Sequence, residues 1–179
     1  MRCITLPVLL LTALLLGACG LTAPRSDEGF ADLDSLGMFD TDRTLALSIG
    51  PTVLRFAASH VDNDREAEAL LRGLDGVRVR VYEITGDPVR VGEKLERMST
   101  RLQAQGWEPI MLVRDEHEQA HMLMKTRGEQ IMGMVVMVSD SSEEVVLVNI
   151  MGDLKPEMFG EAMVALSVDT PEVEVASAN

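Results

Sequence analysis

The residues best suited to chemistry are His117-Glu118-Gln119-Ala120-His121, which match the H-E-x-x-H pattern of zinc hydrolases. On a helix, residues four apart share a face. Two imidazoles can then hold the metal while Glu118 takes a proton from the bound water. The surrounding residues argue for a different placement. Ile110–Val113 and Met122–Met124 read as strands on either side, which makes a polar hairpin turn the simpler position. Asp115 and Glu116 stand where a buried catalytic helix would carry apolar side chains. The downstream carboxylates at a suitable distance, Glu143 and Glu144, fall in another predicted turn. The motif is therefore expected to be a solvated turn, with a zinc-dependent hydrolase as the alternative.

Met122 with Met124, and Met132 with Met134, form two Met-x-Met pairs whose members share a strand face. Soft thioethers suit Cu(I), and His121 is close in sequence, so a copper or small-ligand binder is a further alternative. The plainer reading is that Met fills a core short of aromatics: there are 12 methionines, while aromatics make up 3% of the chain. Ser139, Ser141 and Ser142 lack a Gly-x-Ser-x-Gly setting, and there is no P-loop, dinucleotide fingerprint or basic-aromatic patch. Asn149 is polar among strand valines and is expected to satisfy backbone groups, while Asp153 is expected to cap a last helix. The reading assigns no catalytic residue, cofactor or metal.

Cys19 carries a different chemistry. Arg2 opens a short leader, and Ile4 to Leu16 forms an apolar run too short for a bilayer, which needs about 20 residues. Leu16-Gly17-Ala18-Cys19 then resembles a bacterial lipobox, in which the cysteine is lipidated and becomes the first residue of the mature chain. The only other cysteine, Cys3, lies inside the leader, so no intrachain disulfide is expected. Gly20 follows in place of the Asp that retains enterobacterial lipoproteins at the inner membrane, which implies the outer membrane.

These residues are positioned by a chain that divides into a signal peptide at 1–18, a lipidated cysteine and flexible tether at 19–43, one domain at 44–166 and a polar tail at 167–179. The tether carries Pro24, Gly29, Gly37 and six acidic residues, and as a coil would hold the domain roughly 25 Å from the membrane. Phe30, Leu33, Leu36 and Phe39 recur at helical spacing within it, compatible with a short docking helix. A strand over 44–49 leads to helices with stripes at Val53, Leu54, Ala57, Val61 and at Ala67, Leu70, Leu71, Leu74, the second capped by Asn63 with Glu66. Val77-Arg-Val-Arg-Val81 alternates, as a strand with one wet face does. A helix through Val91, Leu95, Met98 and Leu102 closes at Gly106. Four strands then follow as a meander, of which 130–139 and 144–151 alternate poorly and are expected at the centre of the sheet. A last helix carries Phe159, Ala162, Met163 and Leu166 on one face. The expected class is α+β: an antiparallel sheet of five or six strands with a C-terminal meander, packed by three to four helices.

The formal charge of -13 becomes one unit more negative once the leader and its Arg2 are removed. Such an excess opposes contact with nucleic acid and attraction to anionic lipid headgroups. The strand, acidic turn and Val145-Val-Leu-Val-Asn-Ile-Met-Gly-Asp-Leu-Lys-Pro-Glu-Met158 together resemble the bacterial lipoprotein family called domain of unknown function 4252. The Gly76-Val-Arg-Val-Arg-Val-Tyr82 strand and the helix ending before Gly106-Trp107 are similar to it as well. That resemblance implies an α+β envelope lipoprotein without an established activity, and a hairpin over 110–126. The resulting expectation is a non-enzymatic lipoprotein held to the outer membrane through Cys19. Its periplasmic domain would bind an envelope protein partner or serve envelope assembly or signalling.

Overall fold

In a computed structural model, which describes residues 20–34, 43–61, 64–84, 88–115, 118–140 and 144–154, the chain runs through nine elements. They are β1 (Arg43–Ile49), α1 (Pro51–Ala58), α2 (Arg65–Gly73), β2 (Leu74–Glu83), α3 (Pro88–Ala104), β3 (Glu108–Arg114), β4 (Glu118–Arg127), β5 (Gln130–Asp140) and β6 (Glu144–Leu154). The strands form one antiparallel sheet in the order β1-β2-β6-β5-β4-β3. The four C-terminal strands are the expected meander, and β5 and β6 lie at its inner side, each flanked by two neighbours. The α+β expectation holds, with six strands and three helices among the described residues. The fourth helix, expected near 159–166, and the cap assigned to Asp153 fall on or depend on residues outside that set.

Each helix is set by local chemistry. Pro51 occupies the first turn of α1, where a missing N–H costs nothing. Asp64, rather than the expected Asn63, caps α2, its Oδ1 accepting from the backbone N–H groups of Glu66 and Ala67. At the end of α3, Gly106 takes a φ of 86°. The N–H of Trp107 then bonds to the carbonyl of Leu102, and that of Gly106 to Gln103. This is a Schellman closure, and the Trp107 and Leu102 side chains meet in the core beneath it.

The sheet is covered on both faces. One face packs α3 through Val91, Leu95, Met98 and Leu102 against Leu123, Val135, Met137, Val145 and Leu147. The other packs α1 and α2, through Leu54, Leu70 and Leu71, against Met122, Met134, Val136 and Ile150. Strand periodicity therefore sorts side chains cleanly, odd-numbered β6 residues to the first face and even-numbered ones to the second. Over residues 145–151 the odd set is buried and the even set only half so.

The segment from Gly20 to Asp34 differs from the flexible tether expected there. Ala23, Ala31 and Leu33 are buried, and the last two belong to the α3-side core. It takes turns and bends rather than the helical run suggested by Phe30 and Leu33; Leu36 and Phe39 lie outside the described residues. Its approach is close enough that a Cβ on Gly29 would collide with the Met132 carbonyl, and one on Gly133 would meet Gly29. Residues 20–34 are part of the domain.

Burial at the centre makes a direct check. Met134 and Val136 are buried, whereas Val148 is half-buried. Val136→Asp would put an unpaired charge in the core and is expected to cost several kcal/mol, enough to unfold a domain of ordinary stability. Val148→Asp should cost clearly less. Urea denaturation of both variants reads the order, and a stable Val136→Asp protein would contradict the placement.

Candidate functional site

The alternation Val77-Arg-Val-Arg-Val81 does mark a two-faced strand, but the faces are reversed from expectation. The valines of β2 are half-buried, while Arg78 and Arg80 are 3% and 7% exposed. Both arginines point to the α3 side of the sheet, where residues 29–34 lie over them. Asp34 is the common acceptor. Arg80 grips it with two bonds, Nε to Oδ1 at 2.8 Å and Nη2 to Oδ2 at 3.1 Å. Arg78 Nη2 donates to the same Oδ2, and Arg43 Nη1 reaches Oδ1 at 3.3 Å. Further donors reach backbone: Arg78 Nη1 bonds to the Ala31 carbonyl, and Arg80 Nη1 to those of Leu47 and Val79. The Arg78 guanidinium lies 4.6 Å from the centre of the Phe30 ring.

Asn149 completes the group. It sits opposite Arg78 across the β2–β6 ladder and is fully buried. Its Oδ1 accepts from the Ala31 N–H, and its Nδ2 donates to the carbonyls of Gly29 and Met134 at 2.9 and 3.2 Å. The expectation that Asn149 satisfies backbone groups is met, and two of those groups, at Gly29 and Ala31, are in the N-terminal segment. The Asp34 carboxyl is held below the usual carboxylate range by the Arg80 hydrogen bonds first; the positive charges of Arg80, Arg78 and Arg43 add to this and burial opposes it. Arg80 is raised by the same bond to Asp34, whereas burial lowers Arg78. The cluster's charged groups are thus spent on one another and on backbone, holding residues 29–34 to the sheet.

The H-E-x-x-H residues are not assembled for helical zinc binding. Glu118 and His121 lie in β4, where residues three apart point to opposite faces; His117 is outside the described residues. His121 is not solvated, as a turn residue would be, but buried beneath α3. The Gln119 amide donates to its Nε2 at 2.7 Å, which requires that nitrogen to be unprotonated. Burial lowers its pKa, with Glu96 opposing and Arg114 reinforcing the shift. Among the described residues no group of three His, Cys, Asp or Glu side chains could hold a metal.

Met98 and Met137 pack on the α3 side, while four other methionines gather on the opposite face. Met111 pairs with Met122, and Met124 with Met134, all in the core under α1 and α2. Strand alternation puts His121 on the other side of the sheet, so it cannot join them as a ligand. Ser139 is buried in β5, and Ser141 and Ser142 lie outside the described residues.

A family profile matches residues 38–162 under the description Domain of unknown function (DUF4252). The chain belongs to this family. No curated protein matches it. The DUF4252 match includes Arg78, Arg80, His121 and Asn149 but begins after Asp34. The arginine–asparagine floor thus lies inside the family region, and the segment docked on it lies outside. One signal for this docking was present in the sequence: two arginines and an asparagine on otherwise valine-rich strands, with Asp32 and Asp34 upstream.

Two titrations check the site. A carboxyl with a depressed folded-state pKa contributes stability that is present above its unfolded value, about 3.9, and is lost as pH falls through the folded one. Residues 20–34 should therefore gain hydrogen exchange below about pH 4. Asp34→Asn leaves two buried guanidiniums without their anion and should cost about 3 kcal/mol at neutral pH, with the same segment exchanging early. Unchanged exchange would rule out the latch. For His121 the sign is the same and the window lies higher. A depressed imidazole adds stability above about pH 6.5, and that stability is lost as pH falls from there to the folded value. Chemical denaturation across this range should show the loss in the native protein and not in His121→Asn.

Proposed function

We propose that this DUF4252 protein is a bacterial envelope lipoprotein, anchored in the outer membrane through lipid on Cys19. Its periplasmic domain then works without catalysis, as a module that binds an envelope protein or serves envelope assembly or signalling. The observation that carries the anchor is Leu16-Gly17-Ala18-Cys19 directly behind a short apolar leader. Several acyl chains, at about 0.8 kcal/mol for each buried methylene, would make such an anchor effectively permanent. The binding role is supported by how the polar residues are used. Arg78 and Arg80 are paired with Asp34, Asn149 bonds to backbone groups, and the buried His121 is paired with the Gln119 amide.

In this reading Cys19→Ser blocks processing. The variant should accumulate as precursor and lose all incorporation of an alkyne fatty acid, while the native protein labels and fractionates with the outer membrane. Equal labelling of the two forms would overturn the anchor, and recovery of the native protein solely from inner-membrane fractions would overturn the destination.

A further inference from the structure

Gly20 is bonded to Cys19, and it is already seated on the folded domain. A Cβ at Gly20 would collide with the Thr52 hydroxyl, and one at Gly50 with the carbonyls of Gly20 and Thr22. The Gly50 N–H donates to the Leu21 carbonyl at 2.9 Å, and the Ala23 N–H to Ser48 Oγ at 3.2 Å. Residues 20–23 are thus fastened to the end of β1 and the first turn of α1. Consecutive Cα atoms are about 3.8 Å apart, so anything carried by Cys19 starts within one residue of α1. The roughly 25 Å of slack that a coil would supply does not exist here.

The surface at this point is apolar. Leu54 and Ala58 turn the inner side of α1 to the sheet, Val53 and Phe56 occupy its outer side, and His60 follows in the turn after it. Phe56 is 66% exposed, Leu21 52% and Val53 39%. The Phe56 ring is held by its neighbour: its centre is 4.4 Å from that of His60, whose Nδ1 also bonds the Phe56 carbonyl at 2.9 Å. An exposed Phe with two aliphatic neighbours, rimmed by Arg55 and His60, has the make-up of an interfacial helix face.

We infer that α1 is a second membrane contact: the domain lies directly on the bilayer that holds the Cys19 lipid, with Leu21, Val53 and Phe56 inserted at the headgroup–acyl boundary. This rests on lipidation of Cys19. The occupant is lipid because the acyl chains emerge beside this patch and must enter the hydrocarbon there, which brings α1 to the same depth. The strong negative charge of the chain makes the contact one of apolar insertion, insensitive to salt.

The mature lipidated chain has no other cysteine once the leader is gone, so a single engineered thiol can carry a spin label. Phe56→Cys, Val53→Cys and Leu112→Cys are compared in vesicles of phosphatidylethanolamine and phosphatidylglycerol. Leu112 is an exposed control on β3, at the sheet edge opposite β1. Labels at 53 and 56 should collide several-fold more with oxygen than with a water-soluble nickel complex, and the label at 112 should show the reverse, at low and high salt alike. Water-like collisions at all three sites in protein whose mass shows the acyl chains would overturn the contact and leave the anchor standing. A mass without acyl chains would overturn both. Labels at 53 and 56 shielded from both reagents would place a protein, such as a second copy, on the patch and overturn the lipid assignment.

Discussion

Two guanidiniums buried in a sheet face must be matched by an anion and by carbonyl oxygens, or the face cannot be covered at all. Arg78 and Arg80 meet that demand through Asp34, Ala31, Leu47 and Val79. Every one of these acceptors except Val79 comes from outside β2, and the only charged one comes from the N-terminal segment. The cost of desolvating the arginines therefore ties the fate of residues 29–34 to that of the sheet. Asn149 extends the tie to β6, the strand beside β2, so the segment is bonded across the middle of the sheet rather than to an edge. Without it, the β1–β2–β6 side of this face would present buried-type arginines to water while α3 protected only the side toward β3.

The architecture was legible because period and punctuation act locally. The two valine-rich runs of β5 and β6 lack clean alternation because neighbours flank both edges and elements cover both faces. Gly106 ends α3 because only a left-handed residue lets Trp107 turn back to Leu102. The errors share one cause, which is that alternation identifies two faces without saying which is covered. Val77-Arg-Val-Arg-Val81 has the pattern of a strand with a wet arginine face, yet the arginine face is the deeper one. What inverted it lies more than forty residues away, at Asp34. His121 was misplaced for a related reason: charged neighbours at Asp115, Glu116 and Glu118 suggested a turn, while β4 begins three residues earlier than His121 and carries it under α3.

The N-terminal segment was the hardest to read. Its glycines, its proline and its acids have the composition of a linker, and the side chains it buries are mostly small: Ala23, Ala31 and Leu33. Such a segment docks by backbone proximity and hydrogen bonds, not by an apolar stripe, so periodicity is silent about it. The residues that mark it are on the other side of the contact, in the glycines of the sheet and in Asn149. Gly133 admits Gly29 at a distance that any side chain would forbid, and Gly76 leaves room for Ala23.

Docking of this kind changes what an N-terminal anchor can do. A coil between lipid and domain lets the domain sample many orientations, and the bilayer then acts only as an address. A segment fastened at Gly20, Ala23, Ala31 and Asp34 removes those degrees of freedom. The entropy of ordering it is borne in folding, not at the membrane. With the proposed lipid on Cys19, any surface near Gly20 would be held at the bilayer at high effective concentration, and even a small apolar patch such as Leu21, Val53 and Phe56 would act without affinity of its own. Orientation follows from the same bonds. In the proposed arrangement, with α1 at the bilayer, the face bearing α3 would turn away from it. That face is also the one closed by the Asp34 latch, so the interaction that completes the fold and the one that orients it are carried by a single stretch of chain.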